Sequence, residues 1–298
     1  MRFSLAKSAT LLSLAVGSMS AMAGSTVLAT GVQGVSLAGG SGCYAMGVAF
    51  DSANSQYYGG GGGGPGCNGV VWNAAGARLQ SLSPVNVDIR GVNYNTNNGQ
   101  VEIVGYGSKN GYYPGSHYSG LYEMGLDGAG LYTGVNSQAL TQLSGMSDDQ
   151  SVAAYDASRD VFYSTSSGSN VVNIAKHSDG SLLGTITLQG ASVANTELYT
   201  IGYDSAADLL IRFDNSTNNA LVFDMAGDFV GSSFVGAGNF DNSYSMAYTN
   251  GLLFLGTGSG YESFQIIQTS AVPEPTNAAL LLVGLLGAAG VSLRRRRA

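Results

Sequence analysis

The chain has 298 residues, with 45 Gly, five Pro, and only 12 basic against 19 acidic side chains. The 44% hydrophobic content and the Tyr-rich aromatic set can fill a core, which argues against charge-driven disorder, and the few prolines with no three-residue Gly period exclude collagen. What remains is turn-dense β structure, poor in charge and rich in Tyr, Gly, Ser and Asn.

The first 23 residues read as a secretory signal. Arg2 and Lys7 form a basic start, Leu11–Val16 an apolar stretch, and Ala21-Met22-Ala23 a small-x-small cleavage site ending at Ala23. An exported chain meets oxidising conditions, so the two cysteines, Cys43 and Cys67, are expected to pair as a disulfide. Together with the distant His117 and His177 they offer no zinc-ligand spacing.

Thr26–Thr30 follows as a strand with no repeat unit of its own. Beyond it an aromatic residue, usually followed by Asp or Asn, ends a short strand five times: Phe50, Tyr94, Tyr155, Tyr203 and Tyr248. The spacings are 44, 61, 48 and 45 residues. A turn glycine follows in the first four units, at Gly76, Gly128, Gly180 and Gly227. Those glycines lie 26, 34, 25 and 24 residues past their aromatics, so the second unit carries an insertion of nine or so residues within Gly105–Gly120.

Each unit reads as four short strands, for example Val152–Tyr155, Val161–Tyr163, Val171–Ile174 and Leu182–Ile186 in the third. Four strands in 45 to 50 residues is the period of a propeller blade, and the small residues of each first strand suit a crowded axis. The fifth unit stops after Phe264–Ile267 and lacks its fourth strand. The spare N-terminal strand would complete it and remove an exposed edge. The expected fold is therefore an all-β, five-bladed propeller closed by the N-terminus, with a β-sandwich or β-solenoid as the alternative. In a blade, the loops holding Cys43 and Cys67 emerge at the same end, so the bridge and the propeller agree.

Little conventional chemistry appears. Gly59–Gly64 matches G-x-G-x-x-G, but neither a periodic helix nor G-K-[ST] follows, and a flexible loop is the expected meaning. No G-x-S-x-G elbow occurs, and His177 sits in a turn, where a solvated imidazole is expected. Asp51, Asp127, Asp156, Asp179, Asp204 and Asp224 fall where tight turns use Asx side chains. No catalytic residue, metal ligand or cofactor is assigned; a Ca²⁺ ion on these turns is a secondary alternative. The inserted segment of the second unit is the candidate ligand site, through Tyr106, Lys109, Tyr112, Tyr113, His117 and Tyr118. Tyr rings with Lys, Asn and His donors suit stacking on sugar faces and bonding to hydroxyls.

At the far end, Val272-Pro273-Glu274-Pro275 precedes an apolar stretch, 276–293, and the cluster Arg294, Arg295, Arg296 and Arg297. As a helix the 18 residues would rise about 27 Å, enough for a bilayer core, with the arginines held cytoplasmic. Residues 272–298 resemble the PEP-CTERM sorting signal, with Pro273, Glu274 and Pro275 matching its motif and Arg294–Arg297 its basic stop. The resemblance implies processing by an exosortase, a membrane-embedded transpeptidase-like protease. It further implies delivery of the released domain to the surface or exopolysaccharide matrix of a Gram-negative bacterium.

Residues 24–271 hold six basic and 18 acidic side chains, a net charge of −12. Nucleic acid and anionic lipid are poor partners for that surface. A neutral glycan, a cation-bridged polysaccharide or a protein fits better. The expected role is non-enzymatic binding in the matrix. The alternatives are a polysaccharide hydrolase or lyase on the same scaffold, and a self-associating coat protein.

Overall fold

The computed structural model describes residues 26–39, 43–64, 66–106, 120–141, 143–147, 151–193, 199–238, 240, 245–258 and 260–269. The signal segment, the sorting segment 272–298 and most of the inserted segment lie outside these residues. Thr26–Gln268 form one compact unit, and among the described residues every element is a strand.

Five four-stranded antiparallel sheets make the five expected blades. Blade 1 is β2 (Tyr44–Asp51), β3 (Gln56–Gly62), β4 (Gly69–Asn73) and β5 (Arg78–Leu82). Blade 2 is β6 (Asp88–Asn95), β7 (Gln100–Tyr106), β8 (Gly120–Leu126) and β9 (Tyr132–Leu140). Blade 3 is β10 (Ala154–Asp156), β11 (Val161–Thr165), β12 (Val171–Lys176) and β13 (Leu182–Thr187). Blade 4 is β14 (Gly202–Asp204), β15 (Leu209–Asp214), β16 (Asn219–Asp224) and β17 (Phe229–Phe234). Blade 5 takes β18 (Met246–Thr249), β19 (Leu252–Thr257) and β20 (Gly260–Thr269), and its outer strand is β1 (Thr26–Leu37). Ser263 Oγ donates to Val35 O at 2.7 Å, one of the bonds that hold this closure.

The innermost strands crowd together as their small residues suggest. A Cβ on Gly47, whose φ is +64°, would lie 2.6 Å from Val92 N in the next blade. One on Gly202 would lie 2.8 Å from Tyr248 Cβ. Blade 3 begins its first strand later than expected, because Val152 pairs in parallel with Thr200 of blade 4 instead of within its own sheet.

The core is divided among the five junctions. Blades 1 and 2 share the cluster around Ala49, Tyr58, Ile103 and Tyr122, and blades 5 and 1 share Trp72, Tyr57, Phe254 and Tyr261. Phe213, Ile211 and Leu253 fill the blade 4–5 junction, and Tyr163, Leu210 and Phe223 the blade 3–4 junction. Each fully buried large side chain contributes about 1.5–3 kcal/mol. Blades 2 and 3 share the smallest apolar group among the described residues: Val104, Leu121, Met146, Ala153, Phe162 and Ala175. That junction is supplemented by buried charge, as described below.

Turn chemistry corrects one sequence landmark. Asn73, Asp127 and Asp224 each accept, on Oδ1, the N–H groups two and four residues on, and each carbonyl receives the N–H of a glycine three residues on. The glycine in that position of blade 2 is Gly130, at φ +75°, not Gly128. The insertion of blade 2 is accordingly two residues longer than the spacing to Gly128 suggests.

Candidate functional site

The two ends of the ring differ in chemistry. At one end, called here the turn end, the hairpins between first and second strands and between third and fourth strands emerge. The opposite end carries the remaining loops and the Cys43–Cys67 disulfide, whose Cα atoms lie 5.7 Å apart. We call it the disulfide end.

There, Asp88 opens β6 and Arg90 is the residue skipped at a bulge between Ile89 and Gly91. Arg90 Nη1 donates to Asp88 Oδ1 at 2.6 Å and Nη2 to Oδ2 at 3.0 Å, a two-bond fork. Asp88 Oδ1 also accepts the Gly63 N–H at 2.9 Å, tying blade 2 to the loop of blade 1. The Arg90 guanidinium lies over the Tyr106 ring, 4.9 Å from its centroid. Tyr44, next to Cys43 and with its ring beside Gly63, is 61% exposed.

This arrangement corrects the reading of the glycine run. Gly59–Gly62 are buried residues of β3, not a flexible loop. Their missing side chains make room for blade neighbours: a Cβ on Gly60 would meet Ile89 Cδ1 at 2.3 Å, and one on Gly62 would meet Ile89 O at 2.4 Å and Arg90 Nη1 at 2.6 Å. The run reads as low complexity in sequence because the side chains that fill it belong to Trp72, Ile89 and Arg90, the last two from blade 2.

Of the predicted ligand residues, Tyr106 lies at the disulfide end, half-buried beneath Arg90. Lys109, Tyr112, Tyr113, His117 and Tyr118 fall outside the described residues, though their segment joins Tyr106 to Gly120 at this end. Ala23, Pro273, Glu274, Pro275 and Arg294–Arg297 also fall outside them. Sequence reasoning missed Tyr44, Asp88 and Arg90. The bulge at Arg90 hides the Asp88–Arg90 pair from a period-two reading of the strand.

A second polar cluster sits at the turn end, between blades 2 and 3. His177 is not solvated: its Nε2 lies 3.1 and 2.9 Å from the two oxygens of Glu102, and its Nδ1 3.1 Å from Asp160 Oδ1. Glu102 is itself buried and accepts Asn95 Nδ2 at 2.9 Å. Tyr155 donates to Asp160 Oδ1 at 2.8 Å and its ring packs on the imidazole. The hydrogen bond to Glu102 raises the His177 pKa above its ordinary value, against the opposing effect of burial. The blade repeat places the 3–4 turn of blade 3 beside β7 of blade 2, a tertiary contact that no local pattern around His177 encodes.

The other aspartates serve the turns as expected. Asp51, Asp156 and Asp204 each accept the N–H two residues on. Asp179 does the same for Ser181, whose hydroxyl and N–H, with Lys176, lower its carboxyl to about 2. With their oxygens so engaged, no three His, Cys, Asp or Glu side chains among the described residues converge as a metal site. Arg212, buried at the blade 3–4 junction, donates to Thr165 Oγ1 at 2.9 Å and Ser169 O at 3.1 Å. Burial lowers its pKa to about 10, so it remains a cation at neutral pH.

No family model and no curated protein matches the chain. Among solved structures, it resembles a glutaminyl cyclase of Myxococcus xanthus at 10% identity and a TM-score of 0.48, covering 82% of this chain and 97% of that one. It also resembles a gluconolactonase of Xanthomonas campestris at 12% identity and a TM-score of 0.43, covering 76% and 88%.

Proposed function

We propose that the protein is an exported, non-enzymatic propeller that binds polysaccharide in the extracellular matrix, with the disulfide end as its binding face. The two chain ends support the export reading: a signal segment finishing at Ala23, and Pro273-Glu274-Pro275 followed by an apolar stretch and four arginines. On this reading an exosortase releases the domain from the inner membrane to the cell surface or matrix.

The observation that carries the binding reading is the exposed Tyr44 ring beside Gly63, at the same end as Tyr106 and the splice points of the Tyr-rich insertion. Exposed aromatic rings give sugar faces a flat apolar surface at low entropic cost. The Asp88–Arg90 pair ties Tyr106 to the Gly63 loop that lies beside Tyr44.

The test is retention of residues 24–271 on the exopolysaccharide of the producing organism. It is run beside Tyr44→Ala and a Tyr112→Ala, Tyr113→Ala, Tyr118→Ala triple variant. Retention of the parent with loss in both variants supports a matrix lectin. Failure of the parent to bind overturns the glycan reading. Turnover of the polysaccharide by the parent overturns the non-enzymatic one.

A further inference from the structure

Four of the five blades build one layer alike. Just before the repeated aromatic, on the face turned to the following blade, the first strand carries a small residue and the second strand a large one directly opposite. The pairs are Ala49 with Tyr58, Ala154 with Tyr163, Gly202 with Ile211, and Ala247 with Phe254. Blade 2 departs from this across its whole width. Asn93 of β6 is opposite Glu102 of β7, Glu102 is opposite Glu123 of β8, and Glu123 is opposite Ser137 of β9. Residues directly opposite share a face of the sheet, so a polar row crosses the blade 2–3 junction from the innermost strand to the outermost.

The outer part of this row is bonded. Glu102 accepts from Asn95 and lies against His177, and Ser137 Oγ donates to Glu123 Oε2 at 2.6 Å. The innermost member is not. Asn93 is 9% exposed, and its Nδ2 is buried with no hydrogen-bond partner in the protein. An amide donor buried without an acceptor is costly, and the Ala or Gly used at this position in the other four blades would avoid that cost.

The backbone beside Asn93 leaves room. Gly91 lies two residues earlier in regular pairing, on the same face. A Cβ there would meet nothing nearer than Ala153 N at 3.5 Å, with Val104 Cβ and Val152 Cα at 3.7 Å, all ordinary contacts. At Gly47 and Gly202, on the first strands of blades 1 and 4, the next blade would stand 2.6 and 2.8 Å from such an atom. Blade 3 is also the blade whose Val152 is committed to Thr200 of blade 4. The approach of the innermost strands is therefore looser between blades 2 and 3 than at either of those junctions.

We propose that this space is a binding site for one buried water molecule, which accepts from Asn93 Nδ2 and donates to Glu102. Chemistry selects the occupant. An amide N–H turned toward the site disfavours a metal cation, and the neighbouring Glu102 and Glu123 disfavour an anion. Room for about one methyl group excludes anything larger. Water fits that volume, both accepts and donates, and is the usual partner of otherwise unsatisfied buried polar groups. The bound water extends the His177–Glu102 network inward to β6, with Asn93 as its innermost member. The inference is independent of what the disulfide end binds.

The test joins a crystal structure of residues 24–271, a span containing the whole closed ring, with denaturant unfolding of Gly91→Ala, Asn93→Ala and the double variant. The expected map of the parent has a solvent peak within hydrogen-bond distance of both Asn93 Nδ2 and Glu102, and the methyl of Gly91→Ala displaces it. With Asn93 present, Gly91→Ala should lower the folded-to-unfolded ratio at least about fivefold, because it strands the amide. In the Asn93→Ala background the same substitution should leave the ratio unchanged within about twofold or raise it. A parent map that shows other buried waters but no peak here overturns the proposal. So does an Asn93 amide found on a protein acceptor, or a Gly91→Ala effect of equal size in both backgrounds. Should Gly91→Ala fail to fold alone while the double variant folds, the coupling is present in its extreme form and supports the site; should neither fold, the parent map decides.

Discussion

Tyr248 of blade 5 donates its hydroxyl hydrogen to Asp204 Oδ2 of blade 4 at 3.1 Å, joining the ends of two adjacent first strands. The same relationship recurs around the turn end. The Asp51 carboxylate lies near Tyr94 and, after burial, adds to the rise in its pKa, and Tyr155 Oη lies 3.3 Å from Asn95 Oδ1. At the blade 3–4 junction Arg159 links Tyr203 at 2.9 Å to Asp156 at 2.7 Å. The repeated aromatic-Asx dipeptide is thus an inter-blade fastening, direct between Tyr248 and Asp204 and relayed by Arg159 between Tyr203 and Asp156. At the closing junction both halves change together: blade 1 offers Phe50, which has no hydroxyl, and blade 5 offers Thr249. Asn250 of blade 5 compensates by donating to the Tyr57 hydroxyl at 2.9 Å.

Removing one hydroxyl from this ring should therefore cost stability without altering the fold. Tyr248→Phe leaves Asp204 Oδ2 without its donor and should lower the unfolding free energy by about 1–3 kcal/mol. Phe50→Tyr brings a hydroxyl to a junction without the carboxylate. A double-mutant cycle of Phe50→Tyr with Thr249→Asp should show favourable coupling of about 0.5–3 kcal/mol in denaturant unfolding. Additive effects would mean that the two positions do not face each other.

The blade 2–3 junction should weaken with rising pH. His177 gains its proton affinity in the folded state from Glu102 and Asp160, with Glu123 adding to the field. Its contribution is full below the unfolded histidine pKa near 6.5 and is lost as pH rises through the raised folded value. Thermal unfolding of the parent should fall across that window more steeply than that of His177→Gln. Parallel pH profiles would remove His177 from the account.

The glycine run makes opposite predictions for two close positions. Gly62→Ala drives a Cβ against the Ile89 carbonyl and Arg90 and should cost about 2 kcal/mol or more. Gly66→Ala meets nothing within 4 Å and should change stability by no more than about 0.5 kcal/mol. Equal tolerance at both sites, measured by urea unfolding, would restore the loop reading.

Loss of the Cys43–Cys67 bridge opens a loop with a sequence separation of 24. A Cys43→Ser, Cys67→Ser variant should lose about 3–4 kcal/mol in the chain-entropy account, read as a lower denaturant midpoint. A midpoint unchanged from the oxidised parent would show that the loop is held by its other bonds, such as Val85 N to Cys67 O.

What could be read from the sequence follows from how local each cause is. Phe50, Tyr94, Tyr155, Tyr203 and Tyr248 mark the blades because every blade solves the same local problem: a strand end, a turn and a partner on one side. The closing strand was legible because Phe264–Ile267 ended a unit one strand short. Gly128 misled because the Asx-x-x-Gly frame starting at Asp127 selects Gly130, a distinction that rests on one hydrogen-bonded turn. His177 and Gly59–Gly62 were misread for a different reason. Their environments are supplied by neighbouring blades, and nothing within a few residues of either states which side chains arrive there.

The pairing of β1 with β20 also fixes which way the molecule faces. Gly260 lies against Leu37, while Ser263 bonds Val35, so the two strands run in opposite directions. β20 consequently leaves the ring at the turn end, and β1 enters there. Thr26 and Thr269 thus both lie at the turn end. Tyr44 and Tyr106 lie at the opposite end of the ring from Thr269.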